Sequence, residues 1–502
     1  MSSITLSLAL RGRLLSGTQT TFQGALFGNS EPGFTFEPWD MTTLYQDRAG
    51  TTPVTAAGQS VGLRLDKSKG LALGAELVAP LISDALWVQM PATPNSSVSG
   101  NQLTFGGQFS GRRYAVNTTN PSSRYEFRFN ARRVSGNASI FFFHEASQSG
   151  NISPLTLTDT MSSYVIRPQG AAGGGLVSFG FQDRNASGFG TIEVTNISVR
   201  ELAGTHEVAI NDAARGIYGW MPKTGRRNKL NATDTLATQS VTVTAAAHTL
   251  AFTGTGTVTL SGTSTAGPLV GTGADNRVTL TFTPTAGSLT LTVTGSVTLA
   301  QLQLGSVDTA YQRVVSNYDI TEAGVPSCYY VLANGVNTAY VTPTIAPGTD
   351  KVQVFAGVRK NSDAALGMMA ELGNGNFNAF KLFAPRTASN NYAFSSGGTV
   401  LSEVTASGFS APITNVLTGL GDISGDRATL RVNGTQVAQS TADQGTGNYL
   451  AYPAYIYARG GTSLPFNGYD FGHAVRFGPN LDAATIARVE SLIARNTPEV
   501  TL

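Results

Sequence analysis

The segment SLTLTVTG (288–295) alternates Leu289, Leu291 and Val293 with Thr290, Thr292 and Thr294. VTLTFTP repeats the scheme with Val278, Leu280 and Phe282. A period of two places every apolar side chain on one face of a pleated strand, whereas a helix needs a period near 3.6. Threonine suits the opposite, wet face, because its β-branch fits the pleat and its hydroxyl meets water. Each Val, Leu or Phe removed from water contributes about 1.5–3 kcal/mol. A one-residue slip would expose the whole row, so the pattern also fixes register.

The same rule organises much of the chain. YEFRFNARRV sets Tyr125, Phe127, Phe129 and Ala131 against Glu126, Arg128 and Asn130. SIFFFHEA, SYVIRPQ, LVSFGFQD and IEVTNISVREL follow at short intervals, with Gly, Asn and Ser between them. Short strands separated by turn residues predict antiparallel sandwiches. ATLRVNGTQVAQ is a hairpin, since Asn433-Gly434 takes the positive φ angles of a two-residue turn. NLDAATIARVESLIAR reads as one helix, capped by Asp482, with Ile486, Val489, Leu492 and Ile493 on one face. The expected fold is all-β: tandem antiparallel β-sandwiches, or jelly rolls, with a short C-terminal helix. Gly- and Pro-punctuated residues 1–85 read as an arm, 86–203 as a first sandwich, 204–237 as a linker, 238–319 as a second sandwich and 320–502 as a third β domain. Lys223, Arg226, Arg227 and Lys229 fall in the linker, either as solvated charges or as a phosphate or polyanion patch.

Composition narrows the function. Lys and Arg total 33 against 31 Asp and Glu, so no broad field draws the chain to nucleic acid or anionic membrane. The single cysteine, Cys328, excludes an internal disulfide and a cysteine-rich zinc site. His144, His206, His248 and His473 are widely spaced without an HExxH pattern, so neither a metal nor a cofactor is expected. No run reaches the roughly 18 apolar residues of a membrane span. The opening MSSITLSLALRGRLLSG has no basic region before its apolar stretch and is not read as a signal peptide.

Candidate chemistry is sparse. Gly58-Gln59-Ser60-Val61-Gly62 matches G-x-S-x-G, but a nucleophile elbow needs a following helix and none is patterned there. Asp422, Asp426 and Glu371 read as carboxylates of solvated turns beside Gly and Ser. Glycan cleavage would need two such groups about 5–10 Å apart. No repeat of about 20 residues marks a β-helix. The chain is therefore expected not to be an enzyme. YLAYPAYIYARGG offers the glycan-binding candidates Tyr452, Tyr455, Tyr457 and Arg459, with Tyr455, Tyr457 and Arg459 on one strand face. Sugar C–H faces pack on aromatic rings, and the alternative for this row is sandwich core or a subunit contact. Phe141, Phe142 and Phe143, with Tyr218 and Trp220, read as packing residues.

Three stretches resemble known families. LRVNGTQV, YIYARGG and LPFNGYDFGHAVRFG, closed by the helix, resemble the concanavalin A-like, laminin G-like domains, which implies a lectin-type sandwich over 320–502. Residues 86–203, ending in IEVTNISVREL, resemble carbohydrate-binding-module jelly rolls. FEPWDMTTLYQDRAGTTPVTAAGQSVGLRLDKS (36–68) and TAYQRVVSNYDITEAGVP (309–326) resemble segments of tailed-bacteriophage virion proteins. These resemblances imply a virion structural protein, assembled in the host cytoplasm, with residues 1–85 as its virion-attachment arm. A tail fibre or tail appendage contacting host-surface glycan is the leading expectation, with other virion proteins and further copies of itself, three in number, as partners. A capsid-surface decoration or head fibre and a glycan-degrading tail spike stand as alternatives.

Overall fold

The computed structural model describes residues 22–78, 87–89, 96–118, 123–136, 139–143, 153–167, 175–183, 190–373, 375 and 377–502. The described chain is almost wholly antiparallel sheet, with the helix Ala483–Arg495 near its end. An eleven-stranded sheet and a nine-stranded sheet form the largest sandwich. Between them pack Phe34, Phe36, Val354, Leu417, Leu430, Val475 and Phe477 from the first, and Leu372, Phe380, Leu382, Phe394 and Ile456 from the second.

This sandwich is built from three separate stretches of chain. Strand Gly33–Phe36 lies against Asn467–Phe477, pairing Phe34 with Val475. Leu63–Arg64 lies against Glu207–Ala209, pairing Arg64 with Glu207. Gly216–Pro222 lies beside Ser327–Asn334. Segments assigned from sequence to the 1–85 arm and to the 204–237 linker are thus framework strands of the large sandwich. The reason they escape sequence reading is physical. Leu44–Tyr45, Ser60–Val61 and Leu63–Arg64 are two residues long and carry no period, and several of their partners lie more than a hundred residues away.

The other two sandwiches are insertions. Strands between Leu73 and Leu202 form a six-stranded and a five-stranded sheet around Trp87, Phe127, Phe129, Phe179, Phe181 and Ile192. The Thr-rich strands Gln239–Val243 to Val297–Leu304 form a four-stranded and a three-stranded sheet around Leu250, Phe252, Leu289, Leu291 and Leu302. Leu289 and Leu291 are buried as their alternation requires. The hairpin Arg427–Val432 to Thr435–Ser440 turns at Asn433 (φ 48°) and Gly434 (φ 75°). The helix is capped as its sequence predicts, with the Thr485 N–H donating to the Asp482 carboxylate at 2.7 Å. It buries Ile486, Val489 and Ile493 on the outer face of the eleven-stranded sheet, against Phe355, Val416 and Ala474.

Polar groups buried in the large sandwich join the three stretches. Arg64 ion-pairs with Glu207 and donates to the Tyr457 hydroxyl at 2.6 Å. Tyr457 donates to Asp470 at 2.6 Å. His473 lies between Asp470 (2.7 Å) and Glu207 (2.6 Å). The Arg64 guanidinium also stacks over Tyr340, 3.7 Å from the ring centre. Two cations and two carboxylates close the charge balance with almost no access to solvent. Burial alone would lower the His473 imidazole, but the Glu207 and Asp470 carboxylates outweigh it and hold it at about 9. Beside this group the Asp66 carboxylate accepts from the N–H groups of Thr35 (2.9 Å), Ser68 (2.8 Å) and Thr205 (2.7 Å), tying both ends of the first insertion to the N-terminal strand.

Two outcomes follow from this network. Arg64→Ala strands buried carboxylates and is expected to cost about 3–5 kcal/mol in urea unfolding. The stabilisation from the raised His473 value is complete below its unfolded value near 6.5 and is lost as pH rises through about 9. Melting temperature should therefore fall between pH 6.5 and 9, and His473→Gln should flatten that fall; equal slopes in the two proteins would refute the assignment.

Candidate functional site

The outer face of the nine-stranded sheet carries what the core cannot. Cross-strand register sets Tyr455 beside Glu371, Glu371 beside Lys381, Lys381 beside Ser395 and Ser395 beside Glu403. One row therefore crosses five strands with polar side chains directed away from the hydrophobic interior. The neighbouring row is apolar, pairing Met368 with Phe383 and Phe383 with Ala393, and Leu464 packs on it. Over these rows lies a hollow of about 500 Å³. Leu366, Phe377, Phe383, Leu401 and Leu464 supply its apolar lining, and Lys381, Arg386, Glu403 and Arg459 its charges.

The charges are held by one another. Arg386 donates to both carboxylate oxygens of Glu403 at 2.8 and 2.9 Å and lies over the Phe383 ring. Ser395 donates to Glu403 at 2.7 Å. Glu371 is fully buried; one oxygen accepts the Gly460 N–H at 2.6 Å, and the other has no hydrogen-bond donor among the described residues. Burial pushes the Glu371 carboxyl up to about 7, against the opposing pull of the Gly460 N–H, Lys381 and Arg459. Burial likewise pushes the Lys381 ammonium down, with Arg459 adding to it. Phe377 stands at the rim with 56% of its surface exposed. The site can thus offer a flat apolar ring and fixed charges, with the buried Glu371 carboxyl in the sheet beside Lys381.

The four sequence-chosen residues separate here. Arg459 lines the hollow. Tyr455 is half-buried on the same face, against Gly461. Tyr452 packs on the main core and against Gly373. Tyr457 is fully buried in the charge network and is not on the face of Tyr455. Its left-handed backbone (φ 67°) breaks the alternation, so consecutive Ile456 and Tyr457 both enter the core. Glu371 is a strand residue, not a solvated turn carboxylate, in Met368–Leu372. Its signal was present: MMAEL and AFKLF each place one charge in an apolar strand-like run.

The remaining candidates have structural partners. Ser60 is in a strand and donates to the Gln46 carbonyl at 3.3 Å, so GQSVG forms no elbow. Asp422 accepts from Asn480 (2.6 Å) and pairs with Lys351 (3.1 Å). Tyr218 donates to the Pro38 carbonyl and Trp220 to Asp319. Burial pushes the Cys328 thiol up to about 11. The side chains of Phe141, Phe142 and Phe143, and His144 entirely, lie outside the described residues.

No protein-family model matches the chain, and no curated protein matches it. Among solved structures, the chain is similar to a carbohydrate-binding module of a Ruminococcus gnavus sialidase, bound to α2,3-sialyllactose. Identity is 17%, over 28% of this chain and 82% of that one, with a TM-score of 0.24. The binding domain of botulinum neurotoxin DC matches at 9% identity over 33% of this chain and 42% of that one, TM-score 0.27. A leech intramolecular trans-sialidase matches at 13% identity over 31% and 24%, TM-score 0.24. Similarities this low carry no functional argument.

One outcome tests the electrostatics of the hollow directly. A carboxyl whose folded value is raised weakens the fold as pH climbs from its unfolded value near 4.5 to about 7. Glu371→Gln should match the parent at pH 4.5 and be more stable by up to about 3 kcal/mol at pH 8. Equal urea midpoints of the two proteins at pH 8 would contradict the placement of Glu371.

Proposed function

We propose that this chain is a bacteriophage virion structural protein, a tail fibre or tail appendage, that holds host-surface glycan in the hollow of the nine-stranded sheet. The observation that carries the binding reading is the juxtaposition of exposed Phe377 with Lys381, Arg386, Glu403 and Arg459 around one apolar-lined recess. A sugar ring stacks its C–H face on an aromatic side chain while its hydroxyls bond to charged neighbours. The virion reading is supported by the resemblance of residues 36–68 and 309–326 to phage virion segments. On this reading the protein works by display, in several copies on the particle, so that weak glycan contacts add through multivalency. Three copies fit what such appendages do.

A second reading, a glycan-degrading spike, has a specific observation behind it. Glu371, raised towards neutrality, shares its row with Glu403, and a raised carboxyl is what a general acid requires.

A glycan array probed with the full chain is the deciding experiment. Binding by the parent protein, weakened about tenfold or more in Phe377→Ala and Arg459→Ala at unchanged melting temperature, is expected. Absence of binding to any glycan, with retention of the protein on capsids, would replace the host-contact reading with the decoration reading. Release of reducing ends from a bound glycan, abolished in Glu371→Gln, would establish the spike reading instead.

A further inference from the structure

The four cations between 223 and 229 do not act as one patch. Lys223 turns to the end of the C-terminal helix and donates to the carbonyls of Ala494, Thr497 and Val500. Arg227 pairs with Glu322. Arg226, Lys229 and Arg359, the last from the eleven-stranded sheet, meet around a polar hollow of about 530 Å³ where the large sandwich adjoins the Thr-rich one, and the Glu322-paired Arg227 lines it too. Asn317 and Thr242 complete the wall from the two sides.

Arg226 has no carboxylate partner among the described residues. Its donors go to neutral oxygens: the Asn228 carbonyl at 3.0 Å and the side-chain oxygens of Asn317 (3.1 Å) and Asn231 (3.4 Å). Lys229 has no ion pair among the described residues. Among the described residues Arg359 ion-pairs with Glu499 alone, at 3.8 Å. Positive charge thus exceeds negative charge around this hollow, in a chain whose net charge is only +2. Burial lowers the affinity of the Arg226 guanidinium for its proton, and Arg359 adds to that. An anion between them would relieve both effects.

The loop that presents these groups is tied down by side-chain hydrogen bonds on both sides. The Asn228 side chain donates to the carbonyls of Ala300 and Gln312 at 3.0 Å and accepts from the N–H groups of Leu230 and Leu302 at 3.1 Å. Gln312 returns the contact by accepting the Arg227 and Asn228 N–H groups. Preorganised arginines are suited to the oxygens of a phosphate or sulfate group.

We propose that this hollow is a second binding site, for a phosphate- or sulfate-type oxyanion. The hollow is much larger than one such group, so it has room for a molecule carrying it. The ligand is therefore either the free ion or an ester on a sugar, and affinity separates the two.

The test is calorimetric titration of the full chain with inorganic phosphate, glucose 6-phosphate and glucose. Binding of one or both phosphates but not of glucose is expected, weakening as salt rises. The tighter phosphate ligand identifies the source. Lys229→Gln, whose side chain makes no hydrogen bond or ion pair among the described residues, and Arg226→Gln should each weaken phosphate binding about tenfold. Phe377→Ala should leave it unchanged, which separates this site from the glycan hollow. No phosphate binding by the parent protein, or equal binding by Lys229→Gln and Arg226→Gln proteins with unchanged melting temperature, would overturn the proposal.

Discussion

The large sandwich depends on a group of charges that water hardly reaches. Arg64, Glu207, Asp470 and His473 come from three parts of the chain, and each satisfies another at its own position. Such a group is not an economical source of stability, since stripping water from four ions costs much of what their attraction returns. What it supplies is specificity. An apolar plug could slide, whereas a guanidinium between Glu207 and Tyr457 accepts one register of Leu63–Arg64 against Glu207–Ala209. That matters most for strands two or three residues long, which have too few ladder bonds to choose a register for themselves.

The nine-stranded sheet shows the same chemistry put to two uses. On its inner face, Tyr457 spends its hydroxyl on Asp470 and Arg64 and is lost to any ligand. On its outer face, Glu371 keeps one oxygen without a donor among the described residues, and Lys381, which lines the hollow, lies beside it. Groups paired with each other from distant strands make a framework.

Much of the fold was legible in the residues. Threonine alternation at 288–294 names its own buried face, Asn433-Gly434 names its turn, and Asp482 names the start of the helix. The large sandwich was legible only in its C-terminal part, because Leu44–Tyr45, Ser60–Val61 and Leu63–Arg64 are strands by virtue of distant partners, not of pattern. The candidate site divided along the same line. Arg459 and Tyr455, chosen for their neighbours in sequence, lie on the outer face of the sheet. Tyr457 was misplaced because one positive φ reverses which way a side chain faces, and nothing in YIYARGG announces it. Lys381 and Glu371 join that pair through register alone, and register belongs to the folded sheet.

The first inserted sandwich leaves the nine-stranded sheet after Arg64 and returns at Glu207, and these two residues face each other across an antiparallel ladder. Its exit and entry are therefore separated by a single strand spacing, about 5 Å. The framework closes beneath the insertion, as a hem closes beneath a pocket sewn onto cloth. The inserted domain brings its two ends together there and adds a second hold farther out, where the Arg167 guanidinium lies over the Tyr45 ring.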